Sequence, residues 1–295
     1  MRRLLPIAFA LVLAACASNT SSSKTKPKLT PAVQDHAIEL PTNASQGSLV
    51  VGRVPAGSLV EILDENPTDN STTTQLKVAD TGRIVFGIGR DETQTKVLHI
   101  RFTDSGIAHR RILIDTRQFN IENIDGVPQD TVTPPPEIAA RIEREQAEVV
   151  AARLRNDDRQ DFVTGFIWPV QGRISGVYGS QRIYNGTPKS WHSGLDVAAK
   201  QGTPIKAPAG GIITFAKPDL YLTGGTVLID HGMGVSSNFL HLSRLDVKVG
   251  DRVEQGQIIG LVGMTGRATG PHMHWGMNWL KVRIDPKLLL PAQPE

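Results

Sequence analysis

Gly270-Pro271-His272-Met273-His274-Trp275 is the stretch on which the fold and its chemistry hinge. In an extended strand successive side chains alternate between faces, so His272 and His274, two apart, project to the same side. Working outward, His241 stands within Phe239-Leu240-His241-Leu242-Ser243. Further upstream, His192-Ser193-Gly194-Leu195-Asp196 offers an imidazole and a carboxylate four residues apart. Taken singly, an H-x-H pair is two tolerated strand polars, H-x3-D is a weaker signal, and one histidine carries no information. Their co-occurrence in one β-rich region, each flanked by Gly or small residues, makes a pool of metal donors. A catalytic zinc takes three protein ligands from His and carboxylate and keeps a fourth position for water. Five histidines and Asp196 supply those ligands and leave imidazoles over for acid–base work. No His-Glu pair occurs in the chain, so the Glu base of the H-E-x-x-H helix is absent, and imidazole, with its pKa near ~6.5, is the natural base.

The sequence around these motifs predicts an all-β protein. Runs at 205–215, 226–230, 235–241, 257–262 and 272–278 read as strands, separated by Gly and Pro. A second series, at 48–54, 59–63, 83–88, 97–102 and 109–115, has the spacing of a sandwich, and residues 38–120 are expected to form an immunoglobulin-like β domain. His99 and His109 stand alone there and read as structural or surface residues. Between the two lies a linker, 121–161. Its Thr133-Pro134-Pro135-Pro136 suits a helix entry, and a solvated helix is predicted over 137–156. The catalytic domain is expected over 162–291. The stretch 179–191, poorly apolar and just before His192, reads as a loop lining a groove, with 221–225 as an opposite wall. His231, in Asp230-His231-Gly232, reads as structural.

The N-terminus reads as a targeting segment. Met1-Arg2-Arg3 is a positive start, 4–13 an apolar run, and Ala14-Ala15-Cys16 a small-residue end. That run falls short of the ~20 residues a spanning helix needs. Leu13-Ala14-Ala15-Cys16 resembles the lipobox of bacterial lipoproteins, which implies a signal peptide over 1–15 and acylation of Cys16. Cys16 is the only cysteine, so no disulfide is available within the chain. Residues 16–37, rich in Ser, Thr, Lys and Pro, read as a disordered tether. By the same resemblance, Ala17 after the cysteine implies the periplasmic face of the outer membrane of a didermic bacterium, with the acyl chains in the bilayer.

The motif set resembles the lysostaphin/LytM-type zinc metallopeptidases. Gly179-Ser180-Gln181-Arg182, Gly202-Thr203-Pro204-Ile205-Lys206-Ala207-Pro208, Asp230-His231-Gly232 and Val249-Gly250-Asp251-Arg252-Val253 follow in that family's order, and the likeness covers about 166–290. The resemblance implies one zinc per chain, held by His192, Asp196 and His274. It places the two non-ligand catalytic histidines at His241 and His272, with His272 taken as the base and His241 as the group facing the oxyanion or leaving group. It further implies a D,D-endopeptidase that cuts D-alanyl–meso-diaminopimelate cross-links between peptidoglycan stem peptides during wall remodelling or division. A divisome or amidase partner would dock on the N-terminal domain.

Two other classes fit less of the chain. A catalytically silent relative that binds wall or activates an amidase would be expected to have lost one or more of the five positions, and all five are intact. A biotinyl- or lipoyl-type carrier shares the 249–257 turn but needs a modifiable lysine at a hairpin tip and leaves the histidines unexplained. The formal charge of +3 falls to about +1 once Arg2 and Arg3 leave with the leader, and no basic run appears, which argues against nucleic acid as a partner.

Overall fold

The computed structural model describes residues 37–68 and 71–293. The expected leader, Cys16 and nearly all of the expected tether lie outside them. Residues 36–295 form one unit.

The N-terminal part holds β1 (Asn43–Ser45), β2 (Leu49–Arg53), β3 (Leu59–Asp64), β4 (Thr74–Lys77), β5 (Arg83–Gly87), β6 (Lys96–Arg101) and β7 (Ile107–Asp115). Alternation sets their faces: in β6, Leu98 and Ile100 are buried while His99 and Arg101 point to solvent. Where an immunoglobulin-like sandwich is expected, the strands divide into a five-stranded sheet, β1-β7-β6-β3-β4, and a β2-β5 pair, with β1 parallel to β7. His99 and His109, both exposed, meet edge to face across β6 and β7.

The segment expected as a linker does more than connect. Its first residues form β8 (Ile121–Ile124), followed by a single helical turn α1 (Gln129–Val132) and by α2 (Pro136–Ala152). The helix starts at Pro136, where the missing N–H costs nothing. It stops four residues short of the expected Asn156. Beyond it the chain turns in: the Asp157 carbonyl accepts from Met233 N at 2.7 Å, and Arg159 pairs with Asp157, Asp161 and the buried Asp230. The charged α2 buries no residue fully, as a solvated helix should, but Val149 and Ala152 pack on Phe215, Leu220 and Leu228.

The C-terminal part contains β9 (Arg173–Gly176), β10 (Gln181–Tyr184), β11 (Thr187–Pro188), β12 (Leu195–Ala198), β13 (Pro204–Lys206), β14 (Gly211–Leu220), β15 (Gly224–Gly232), β16 (Val235–Leu242), β17 (Arg244–Leu245), β18 (Arg252–Val253), β19 (Ile258–Leu261), β20 (His272–Trp279) and β21 (Val282–Ile284). The main sheet runs β18-β14-β15-β16-β20-β12-β9, with β21 added on β20. The expected 205–215 strand is broken in two by the 207–210 turn. All nine residues of β15 are buried, the pattern of a strand covered on both faces.

Stretch 179–191 is a hairpin rather than a loop. Asn185 (φ 47°) and Gly186 (φ 75°) both take positive φ at its tip, the conformation of a type I′ turn. Its strand β10 pairs with β11 on one side and, in parallel, with β8 on the other, in the register Gln181↔Ile121 to Tyr184↔Ile124. The N- and C-terminal parts share one hydrophobic core, in which β20 and β21 pack on β5, and Arg117 crosses between them to pair with the buried Asp285 at 2.7 Å.

Candidate metal centre

Strand register assembles the centre. β12 and β20 are antiparallel neighbours with Asp196 directly opposite His274, and β16 places Leu240 opposite His274 on the other side. His192 lies just before β12 and is pinned by two backbone bonds of 2.8 Å, its N–H to Ser180 O and its carbonyl accepting from Gly179 N. His241 closes β16 in a left-handed conformation, φ 67°, a costly choice for a residue with a side chain and one concentrated at functional sites.

Three donor atoms converge. Asp196 Oδ1 lies 3.1 Å from His192 Nε2 and 2.8 Å from His274 Nδ1, and the two nitrogens are 3.0 Å apart. All three residues are buried. His192 gives its Nδ1–H to the carbonyl of Val177 at 3.0 Å, so its Nε2 presents a lone pair to the cluster. Tetrahedral zinc with ligand bonds of ~2.0–2.1 Å sets its donors roughly 3.3 Å apart, so these separations need only slight widening. Two imidazoles, one carboxylate and exclusion of water form a donor set that fits zinc, and among the described residues this is the one such cluster.

Charge in the cluster follows from burial. Burial alone would raise the Asp196 carboxyl, but the imidazoles of His192 and His274 hold it well below the usual carboxylate range. Burial pushes His274 down to about 4 against the pull of Asp196, so its ring is neutral and available as a ligand at physiological pH. The second carboxylate oxygen, Oδ2, is taken by Arg182 Nη2 at 2.5 Å. Arg182 also donates to Tyr184 OH at 3.2 Å and to Glu122 Oε2 at 3.3 Å. Gly176 makes room for this contact: a Cβ there would stand 2.5 Å from Asp196 Oδ2 and 2.6 Å from Arg182 Nη2.

His241 and His272 sit beside the three donors without joining them. Their rings are 4.8 Å apart, His241 is 6.4 Å from the His274 ring, and His272 Nε2 is 3.9 Å from Asp196 Oδ1. Each donates Nδ1–H to a carbonyl, His241 to Thr265 at 2.7 Å and His272 to Gly270 at 2.8 Å. Both therefore present a bare Nε2, an acceptor that donates only once protonated. Burial, then the nearby His272 and His274, push His241 down to about 3. In the resting protein His241 is thus a base-type nitrogen, and its expected service to an oxyanion or leaving group requires that it first receive a proton. His231 lies elsewhere: fully buried, it donates to Gly210 O at 2.6 Å and accepts from Ser237 Oγ at 2.8 Å.

Two cavities flank the centre. One of about 440 Å³ is lined by Asp196, His241, His272, Arg173 and Arg182; the other, of about 400 Å³, by His192, His241, His274, Trp191 and Leu240. Residues between 122 and 146 line both. Arg267 stacks on Tyr184 at 4.6 Å and donates to Thr131 O at 3.0 Å, Asn185 Nδ2 donates to Val127 O at 2.8 Å, and Val132 is buried beside Tyr184. Sequence reasoning left Arg182 and Tyr184 outside the site. The Asn185-Gly186 dipeptide was the available signal, because a hairpin tip there puts both on one strand face beside Asp196.

The family profile of Peptidase family M23 matches residues 190–286. The cell division protein DipM of Caulobacter vibrioides is 31% identical over 166 residues, and the DD-carboxypeptidase/endopeptidase Mpg of Neisseria meningitidis is 47% identical over 105. These matches cover 54% and 35% of this chain but only 26% and 24% of those proteins, about a quarter of their length. The crystal structure of a protein assigned to peptidase M23 from Pseudomonas aeruginosa superposes with a TM-score of 0.61 at 31% identity, covering 83% of this chain and 94% of that one. With most of both chains aligned and the family profile lying over every ligand and both extra histidines, the chain belongs to peptidase family M23.

Proposed function

We propose that this protein is a zinc-dependent endopeptidase that hydrolyses peptide cross-links of bacterial peptidoglycan, with the D-alanyl–meso-diaminopimelate bond as its target. The observation that carries the reading is the pair of bare Nε2 atoms, on His241 and His272, set beside a complete three-ligand metal site. Zinc held by His192, Asp196 and His274 supplies Lewis-acid polarisation of the scissile carbonyl and acidification of the attacking water. His272 Nε2 takes the water proton, its ring held by the Gly270 carbonyl. The proton taken by His272 passes to the neighbouring His241, whose ring lies 4.8 Å away, and the protonated His241 Nε2 hydrogen-bonds the developing negative charge and delivers that same proton to the leaving amine. Arg182 fixes the Asp196 carboxylate so that only Oδ1 faces the metal position. The names of DipM and Mpg support a role in wall remodelling or division.

The proposal includes an address. Leu13-Ala14-Ala15-Cys16 supports acylation of Cys16 and residence on the periplasmic face of the outer membrane, with the N-terminal β part free to meet a divisome or amidase partner. Digestion of purified cross-linked peptidoglycan, with and without chelator, followed by mass analysis of the fragments, tests the activity. Chelator-sensitive release of uncross-linked muropeptides is expected; intact cross-links in the zinc-loaded reaction sink the reading. Cys16→Ser should move the protein from the membrane to the soluble fraction.

A further inference from the structure

Behind the groove, between α2 and β14–β16, lies a cavity of about 370 Å³. Ser190, Ser193, Thr223 and Leu240 line both this cavity and the one that holds His192, so the two adjoin across a shared wall. Two guanidinium groups line it, Arg153 from the end of α2 and Arg283 from β21. Elsewhere the centre's arginine is matched to acids, as Arg182 is to Asp196 and Glu122. Here the match is missing. Arg153 Nε is buried and hydrogen-bonds nothing, and Arg283 Nη1 reaches only as far as Asn238 Oδ1, at 3.4 Å. The acid that shares the cavity wall, Glu145, is committed to Arg141 Nε at 2.6 Å and to the Tyr221 N–H at 2.8 Å.

Burial pushes Arg153 down to about 9, with the like charge of Arg283 adding to it, and burial lowers Arg283 as well. The carbonyl end of α2 favours one positive charge at Arg153. It does nothing for the second. Two desolvated cations facing one cavity are costly unless an anion joins them, and a guanidinium fork is shaped to grip a carboxylate through two parallel N–H bonds.

We propose that this cavity is an anion subsite in which Arg153 and Arg283 clamp a terminal carboxylate of the peptide substrate. The identity of the ligand as a wall peptide rests on the function proposed above; the preference for a carboxylate rests on the two arginines alone. A chain terminus suits the position, since the cavity adjoins the metal-side cavity at Ser190, Ser193 and Leu240 and is walled by Ile142, Glu145, Val149 and Arg153 of the α2 segment.

The test is binding of acetyl-D-alanyl-D-alanine, as the free acid and as its C-terminal amide, to the full chain by calorimetry and thermal shift. Binding needs no cleavage, so a protein that leaves peptidoglycan intact would sink the proposed activity while this experiment still decides the subsite. The acid is expected to bind at least tenfold more tightly than the amide, with or without chelator. The double variant Arg153→Gln, Arg283→Gln should bring acid and amide within threefold, and Arg153→Lys should keep part of the preference. Arg153→Met controls for folding: it removes an unpaired desolvated charge, so its Tm should equal or exceed that of the parent and stop responding to the acid. Equal binding of acid and amide, a preference that survives the double variant, or one that vanishes with chelator would each overturn the proposal.

Discussion

Replacing Arg182 with Met should weaken zinc binding by 10- to 100-fold without touching a ligand. Arg182 grips the oxygen of Asp196 that faces away from the metal position, and the contact is charge-assisted and shielded from water. A hydrogen bond to a charged group contributes ~1.5–3 kcal/mol. Loss of an orienting partner behind a metal ligand typically costs 10- to 100-fold in affinity, or ~1.4–2.7 kcal/mol, so the two routes agree. Methionine keeps the length of the side chain and leaves Oδ2 unpaired. Arg182→Lys is the discriminating companion. It restores a charge near Oδ2 but cannot span Asp196, Tyr184 and Glu122 at once, so it should recover only part of the loss. Competition against a chromogenic chelator measures the affinity, and thermal melts of the metal-free proteins separate a folding defect from a metal-site defect. Zinc affinity within threefold of the parent in the Met variant, alongside a lowered Tm, would reduce Arg182 to a structural role and refute the reasoning.

His241→Ala should keep zinc within threefold and lose ~10²–10⁴ in turnover, since the residue handles protons and holds no metal; a variant that purifies metal-free would make His241 a ligand. Burial pushes His231 down to about 4, whereas the unfolded chain takes up that proton near ~6.5. Its contribution is therefore complete above pH 6.5 and is lost as pH falls toward 4, amounting to about 3 kcal/mol. In denaturant titrations under chelator, the stability of His231→Gln should lose up to that much less than the parent between pH 7 and 4, and parallel pH curves would contradict it. Gly186→Ala meets open space but must hold φ near +75°, so it should cost ~1 kcal/mol and lower Tm by ~2–4 °C, with an unchanged melt arguing against the hairpin.

Most of the catalytic sheet is legible in the chain because its signals are local. Apolar runs between glycines mark β15, β16 and β20, and period-two alternation sets His272 and His274 on one side before any contact is known. The ligand set needed more: only the register of β12 against β20 places Asp196 opposite His274, and motif resemblance stood in for it. What stayed hidden is non-local or brief. β8 is four residues whose parallel partner, β10, begins about sixty residues later, and no pattern within Ile121-Glu122-Asn123-Ile124 points there. No glycine or proline marks the end of α2 at Ala152, and the Asp157–Arg159–Asp230 network that holds the chain beyond it is non-local. Arg153 and Arg283 are ordinary surface arginines on paper, and only packing makes them desolvated neighbours. The Asn185-Gly186 dipeptide signals a hairpin tip, while the polarity of the stretch around it predicts a loop.

The shared core has a practical meaning for anyone trimming the chain. A fragment cut to 162–291, the expected catalytic domain, would keep every ligand and both extra histidines. It would also strip β5 from Trp279 and Ile284, leave Asp285 buried without Arg117, and bare the edge of β10 that β8 covers. Losing the cover from those two large side chains forfeits at most ~1.5–3 kcal/mol each, set against the ~5–15 kcal/mol that holds a typical domain folded. The truncated piece should express poorly or self-associate, and its silence in an assay would report on solubility rather than on chemistry.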